Sequence, residues 1–237
     1  MTNNIGQSNH QSMRPFVESE KPDLIALQDA AGRNAAYVRS YPGRYVVSKD
    51  QFVLISKYPI LAADLINLSL RPRNFVAARF EISIDGKSVA IYNIHLPTPR
   101  RDLSKLKGIG AIKQFLLQNQ KGSYKQSVHE RIELARALLN LLEAETKPYL
   151  VMGDFNIPDR GYIYNGLTQR LVDSFAAAGR GHGYTFPGTG YGLSALFSPW
   201  LRLDYLFAGK GWKPVYCRAE TGRRSQHRAV VARFEPI

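Results

Sequence analysis

Asp154 and Asn156 stand just past a short apolar run, Tyr149-Leu150-Val151-Met152, with Gly153 between. The run reads as a buried strand, and Gly153 as a sharp turn at its end. In an extended segment residues two apart point the same way, so carboxylate and carboxamide share one side. One is an anionic acceptor, and the other both donates and accepts. Together they can align a water molecule against an anionic substrate. The ordinary reading of the same residues is a strand followed by an Asx-type turn. Five more polar residues hold the same kind of position, at or just past the end of an apolar run: Asn4, Asp29, His95, Asp204 and His227. Singly, each has a plain explanation: Asp29 as a helix cap, His95 as a surface histidine, Asp204 as a turn acid. As a set they mark the strand ends, where loops carry function.

The chemistry open to this set is definite. Asp29 offers a hard oxygen ligand and Asn4 a neutral one, a combination that suits Mg²⁺ better than Zn²⁺. Such a metal would polarise a phosphoryl oxygen. Asp154 would orient and deprotonate a water, with Asn156 fixing its geometry. His227 could donate to a phosphate or to the leaving group. Asp204 would hold its imidazole in one tautomer and favour the charged form. His95 would add a further donor to the transition state. A covalent nucleophile is unsupported: there is no Gly-x-Ser-x-Gly, and Cys217 falls in mid-strand.

These residues need elements to hold them. The pattern predicts helices over Arg14–Glu20 and Arg33–Ser40, and a long amphipathic one over Val128–Glu145. Strands are expected at Leu24–Leu27, Tyr45–Val47, Phe52–Ser56, Leu203–Phe207, Val215–Glu220 and Ala229–Phe234. Phe75–Ile84 and Ser88–Ile94 form a hairpin through Asp85-Gly86. Ile163–Ala178 is partly helical, and Gly179–Gly192 is loop. Hairpins mixed with helical crossovers indicate a layered sheet core with helices outside.

The 237 residues show no repeat or low-complexity linker, so one domain is expected. The net charge is +13, from 32 Lys+Arg against 19 Asp+Glu, which favours an anionic partner. The most basic stretch is Arg100 to Lys125. It could track a phosphate backbone or lie on anionic lipid, or be an ordinary surface helix. One cysteine excludes an internal disulfide. No run approaches the length of a membrane span, and the polar start lacks a signal-peptide core.

The sequence resembles the endonuclease/exonuclease/phosphatase superfamily, which includes deoxyribonuclease I and exonuclease III. The resemblance rests on motifs in order: Thr2-Asn3-Asn4-Ile5, Pro22 to Asp29, Ser56-Lys57-Tyr58-Pro59-Ile60, Asn93-Ile94-His95-Leu96, Gly153 to Asn156, Arg202-Leu203-Asp204-Tyr205 and Ser225-Gln226-His227-Arg228. It implies an α/β (α+β) four-layered αββα sandwich, two packed mixed sheets flanked by helices, that cleaves phosphoesters with a divalent metal, Mg²⁺ or Mn²⁺. It assigns catalysis to His95, Asp154, Asn156, Asp204 and His227, and the metal to Asn4, Asp29 and Gln226. Asn93, Arg100 and Arg202 become substrate-binding residues. Two positions depart from the pattern. The second motif ends in Asp29 where the family has Glu, and Gln226 stands where it has Asp.

His95-Leu96-Pro97-Thr98-Pro99-Arg100 and Tyr184-Thr185-Phe186-Pro187 resemble a bacterial branch that often carries N-terminal membrane segments. The expected reading is a metal-dependent phosphoesterase, with a nuclease-like substrate first. A membrane-associated lipid (pyro)phosphate phosphatase and a catalytically impaired binding module for phosphate or nucleic acid are the alternatives. No obligate protein partner is evident. Only three residues precede Asn4, so residues 1–237 are expected to lack the first strand and any upstream segment. The protein would be cytoplasmic if the chain is complete and membrane-anchored if such a segment exists.

Overall fold

The computed structural model describes residues 1–6, 12–68, 75–98, 123–187, 199–222 and 226–237. The basic stretch from Arg100, with that residue, lies outside these up to residue 122. Two mixed sheets pack face to face. The seven-stranded sheet runs β10-β12-β13-β1-β2-β4-β3 and the six-stranded sheet β5-β6-β7-β8-β11-β9. The strands are β1 Thr2–Asn4, β2 Leu24–Gln28, β3 Tyr45–Lys49, β4 Phe52–Ser56, β5 Ile60–Ile66, β6 Ala77–Ile84, β7 Lys87–His95, β8 Tyr149–Asp154, β9 Val172–Asp173, β10 Gly179–Arg180, β11 Asp204–Ala208, β12 Trp212–Ala219 and β13 Val230–Pro236. Among the described residues the helices are α1 Arg14–Glu20, α2 Asn34–Ser40, α3 Ser123–Glu143, α4 Tyr162–Thr168 and α5 Ser174–Ala178.

Three buried clusters correspond to the three interfaces of four layers. Phe16 and Val17 of α1 meet Ile25, Leu27, Val53 and Ile55 on the outer face of the larger sheet. Phe52 and Leu54 meet Phe80, Ile91, Leu150, Met152 and Leu206 between the sheets. Leu134, Leu138 and Leu142 of α3 cover Tyr92, Val151 and Phe207 on the outer face of the smaller sheet. Strand alternation then fixes the rest. With Ile91, Met152 and Leu206 facing inward, Asn93, His95, Asp154 and Asp204 face inward too.

The structure adds to the sequence reading at several elements: Gly179–Arg180, read as loop, pairs as β10 with β12. Thr2–Asn4 pair as a three-residue strand. So short a strand holds because it is central, parallel to β2 and antiparallel to β13. Ile60–Ile66 is an edge strand on β6 that its irregular exposure hides from a period-two reading. Gly153 is no turn: β8 continues through it to Asp154, pairing Gly153 with Ile94 and Tyr205.

Gly153 is required for another reason. Its φ is +146°, and a Cβ there would sit 1.9 Å from the Ile94 carbonyl oxygen. Only a residue without a side chain lets β8 approach β7 this closely. Gly153→Ala is expected to cost about 3 kcal/mol or more, by overpacking plus backbone strain. A urea unfolding midpoint close to that of the parent would refute this.

Candidate active site

Register brings three polar side chains side by side in the smaller sheet. His95 of β7 is opposite Asp154 of β8, and Asp154 is opposite Asp204 of β11. From the larger sheet, Asn4 at the end of β1 reaches across the seam.

Asp154 is the centre. It is 1% exposed, and its Oδ2 accepts hydrogen bonds from Asn4 Nδ2 at 3.0 Å and Asn156 Nδ2 at 3.2 Å. The same oxygen lies 3.7 Å from His95 Nε2 and 3.7 Å from His227 Nε2. Oδ1 accepts from the Asn156 backbone N–H at 2.9 Å. An Asx turn therefore does form, and it serves the site: Asn156, at φ +50°, is folded back onto Asp154. Asn156 Nδ2 also donates to Leu96 O at 2.9 Å, and Arg131 of α3 binds the Asn156 carbonyl.

Each imidazole is held in one tautomer. His227 Nδ1 lies 2.9 Å from Asp204 Oδ2, so Nδ1 carries the hydrogen and Nε2 faces Asp154. For His95 the partner is Gln51. Gln51 Nε2 donates to Phe75 O at 3.1 Å, which leaves its Oε1 2.6 Å from His95 Nδ1. That oxygen can only accept, so His95 also presents Nε2 to Asp154. Burial pushes the Asp204 carboxyl above its usual range; His227 opposes this and the charge of Asp154 adds to it.

β1 and the Thr185 loop hold the His227 segment from two sides. Asn3 Nδ2 donates to the His227 carbonyl at 3.3 Å. Thr185 O accepts from the Arg228 backbone, and Thr185 Oγ1 accepts from the N–H groups of Leu203 and Asp204. The Phe186 ring lies 5.0 Å from the imidazole.

Not every expected site residue joins this cluster. Asn93 is fully buried beneath it, bonded to Gln28, Leu27 O and Val53 O, so it is not a substrate contact. Arg202 is turned into the protein, with its guanidinium 2.7 Å from Asp173 and packed over the Tyr205 ring. The structure therefore gives it a packing role in place of substrate binding. Arg100 falls outside the described residues. Asp29, at φ +53°, places Oδ1 3.6 Å from His95 Nδ1. Gln51 and Arg131 were not legible, since a turn glutamine and a helix arginine carry no spacing signal, and Thr185 stood in a branch motif without an assigned role.

The donor set fits a divalent cation. Asp154, Asp204 and His227 each offer a ligand atom within 4.8 Å of the others, the one such group of His, Cys, Asp or Glu among the described residues. Asp204 Oδ1 is buried without a hydrogen-bond partner. A Cβ at Gly6 would stand 3.6 Å from Gln226 Oε1 and 3.9 Å from Asn4 Oδ1, so two amide oxygens flank the adjoining space. Asp29 does not share the three-residue group, which moves the carboxylate focus to Asp154 and Asp204.

A separate cavity of about 680 Å³ opens between α1 and α2, lined by Arg14, Glu18, Arg33, Tyr37 and Tyr41. None of the clustered residues lines it. Both helices begin just past β1 and β2, the strands that end at Asn4 and Gln28.

The Asp204–His227 contact yields a prediction. Asp204→Asn offers Nδ1 either a donor or a weaker acceptor and frees the tautomer, so turnover should fall by about 10²- to 10⁴-fold. Steady-state kcat measures it, and a value within threefold of the parent would show that Asp204 does not set the imidazole.

The profile of the Endonuclease/Exonuclease/phosphatase family matches residues 4–227. No curated protein matches. Solved structures share the fold. An endonuclease/exonuclease/phosphatase family protein from Leptotrichia buccalis is 18% identical with a TM-score of 0.65, covering 99% of this chain and 98% of that one. A mannosyl-6-phosphatase from Bacteroides thetaiotaomicron is 13% identical with a TM-score of 0.67, covering 94% and 89%. A 3′ phosphatase from Neisseria, bound to a product DNA hairpin, is 17% identical with a TM-score of 0.63, covering 99% and 98%.

Proposed function

The chain belongs to the endonuclease/exonuclease/phosphatase family, and from that premise we propose a divalent-metal-dependent hydrolase that cleaves a phosphoester by direct attack of water. The observation that carries this reading is the convergence of two imidazole Nε2 atoms on one buried carboxylate oxygen, each at 3.7 Å. That distance exceeds a closed hydrogen bond, so the three groups are arrayed around a point rather than satisfied by each other.

In this reading Asp154 orients a water and takes its proton, while the carboxamides of Asn4 and Asn156 keep the carboxylate fixed. His227, held by Asp204 through Nδ1, donates in its protonated form from Nε2 to a phosphoryl oxygen or to the leaving oxygen. His95, held by Gln51 through Nδ1, donates in its protonated form from Nε2 to a phosphoryl oxygen as negative charge grows there. Mg²⁺, with Mn²⁺ as a substitute, would be held by Asp154 and Asp204 with Asn4 beside them, and supplies positive charge to the phosphoryl group. Asp29 and Gln226 remain candidate outer ligands.

The substrate we favour is a nucleic-acid phosphoester, given the net charge of +13. Two structural neighbours named for phosphatase action, on a sugar phosphate and on a DNA 3′ end, support a monoester as the second choice. Neither the lipid nor the binding-module alternative gains support. Among the described residues no helix is long and apolar enough to cross a membrane.

The test is a panel of 3′-phosphorylated DNA, an internal DNA phosphodiester and a sugar phosphate, run with Mg²⁺, Mn²⁺ or chelator. Turnover of one substrate class is expected with metal and none with chelator. Asp154→Asn should reduce kcat at least about 10²-fold. Full activity in that variant or in chelator would sink the mechanism. Gln226→Asp should lower the Mg²⁺ concentration at half-saturation, on the roughly 10–100-fold scale of supporting groups at metal sites. An unchanged midpoint would remove Gln226 from the site.

A further inference from the structure

Directly below the clustered residues lies a second layer of buried polar side chains that the proposed chemistry does not use. Thr2 is two residues before Asn4 on β1, and Asn93 two before His95 on β7. Gln28 ends β2, opposite Asn4 in register. By strand alternation Thr2 shares a face with Asn4, and Asn93 with His95. All three are 0% exposed, in the apolar seam between the sheets.

Their hydrogen bonds run in one direction only. Asn93 Nδ2 donates to the carbonyls of Leu27 at 3.0 Å and Val53 at 3.4 Å. Those partners can only accept, which turns Asn93 Oδ1 toward Gln28. Gln28 Nε2 therefore donates to Asn93 Oδ1, at 2.6 Å, and also to Thr2 Oγ1, at 3.0 Å. The result is a strut from β7 in one sheet through β2 to β1 in the other. It leaves Gln28 Oε1 buried without a partner. An apolar seam would avoid that loss, so stability alone does not explain the strut.

We propose that Gln28, Asn93 and Thr2 are positioning residues for catalysis. The strut sets the distance between the sheets at the reacting edge, and through it the 3.5 Å separation of Asn4 Nδ2 and His95 Nε2. Asn4 is the one clustered side chain contributed by the end of β1, whereas His95, Asp154 and Asp204 are in register within the other sheet. Seam width is therefore the coordinate that decides whether Asn4 meets Asp154. Sites of this kind tolerate displacements of about 0.5 Å.

The proposal rests on the phosphoesterase reading, so its test pairs kinetics with geometry. Asn93→Leu, Gln28→Met and the double variant are compared with the parent by urea unfolding, steady-state kinetics and crystallography. Each single variant strands the polar partners of the side chain it removes and should unfold at lower urea. The double variant strands none between that pair and should regain most of the midpoint. Its kcat should nevertheless stay about 10- to 100-fold low with KM little changed, and its Asn4–His95 separation should shift by about 0.5 Å or more. A double variant that recovers kcat and the parental separation along with stability would reduce the strut to a fold-stabilising role and overturn the proposal, as would full kcat in either single variant. Should a single variant fail to fold, Thr2→Val removes only one end of the strut and is held to the same two readouts. If the parent itself turns over no phosphoester, the reading of function fails and the crystallographic separation alone decides the strut.

Discussion

A carboxylate buried between two sheets has to be surrounded by donors, and this molecule is arranged around that requirement. Asp154 Oδ2 is buried, accepts from two carboxamides, and faces at 3.7 Å two imidazoles that can donate when protonated. No one strand can supply them. The donors come from β1, from the turn after β8, from β7 and from the loop before β13. Each of these must reach the same point, so the two sheets have to pack in a single register. Gly153 serves the same end: by lacking a side chain it lets β8 lie against β7 and brings Asp154 level with His95.

The strand-end residues were legible in the sequence because strand alternation is a strict code. An acid, amide or imidazole that ends an apolar run is carried to the sheet edge on a known face. Asn4, His95, Asp154 and Asp204 obeyed that logic. The family motifs, by contrast, implied a substrate role for Asn93 and Arg202, which are buried in other contacts. Motif spacing says that a residue is near the site, not whether its side chain lies in the reacting layer or below it. Asn93 shares a face with His95 but is one layer deeper. Arg202 is two residues from Asp204 yet belongs to an inward ion pair with Asp173. Gln51 was illegible for the opposite reason. It sits in the turn between β3 and β4, and its role exists only because Phe75, remote in sequence, orients its amide.

Charge tells a similar story at larger scale. A basic chain announces an anionic partner but not the surface that meets it. Here the guanidiniums divide among several duties. Arg131 props a backbone carbonyl of the site, Arg202 is packed inside, and Arg14 and Arg33 line a cavity between α1 and α2. Composition alone could not have sorted them.

The hydrogen bond from Asn3 to the His227 carbonyl joins residues 224 positions apart, and β1 pairs directly with β13. β1 is flanked by β2, near it in sequence, and by β13, far from it. Contacts of such long range close late in folding. A nascent chain with Asn4, Asp29, His95 and Asp154 already synthesised still lacks the imidazole of His227 and the outer strand that steadies β1. The cluster around Asp154 is therefore complete only once β13 has paired with β1.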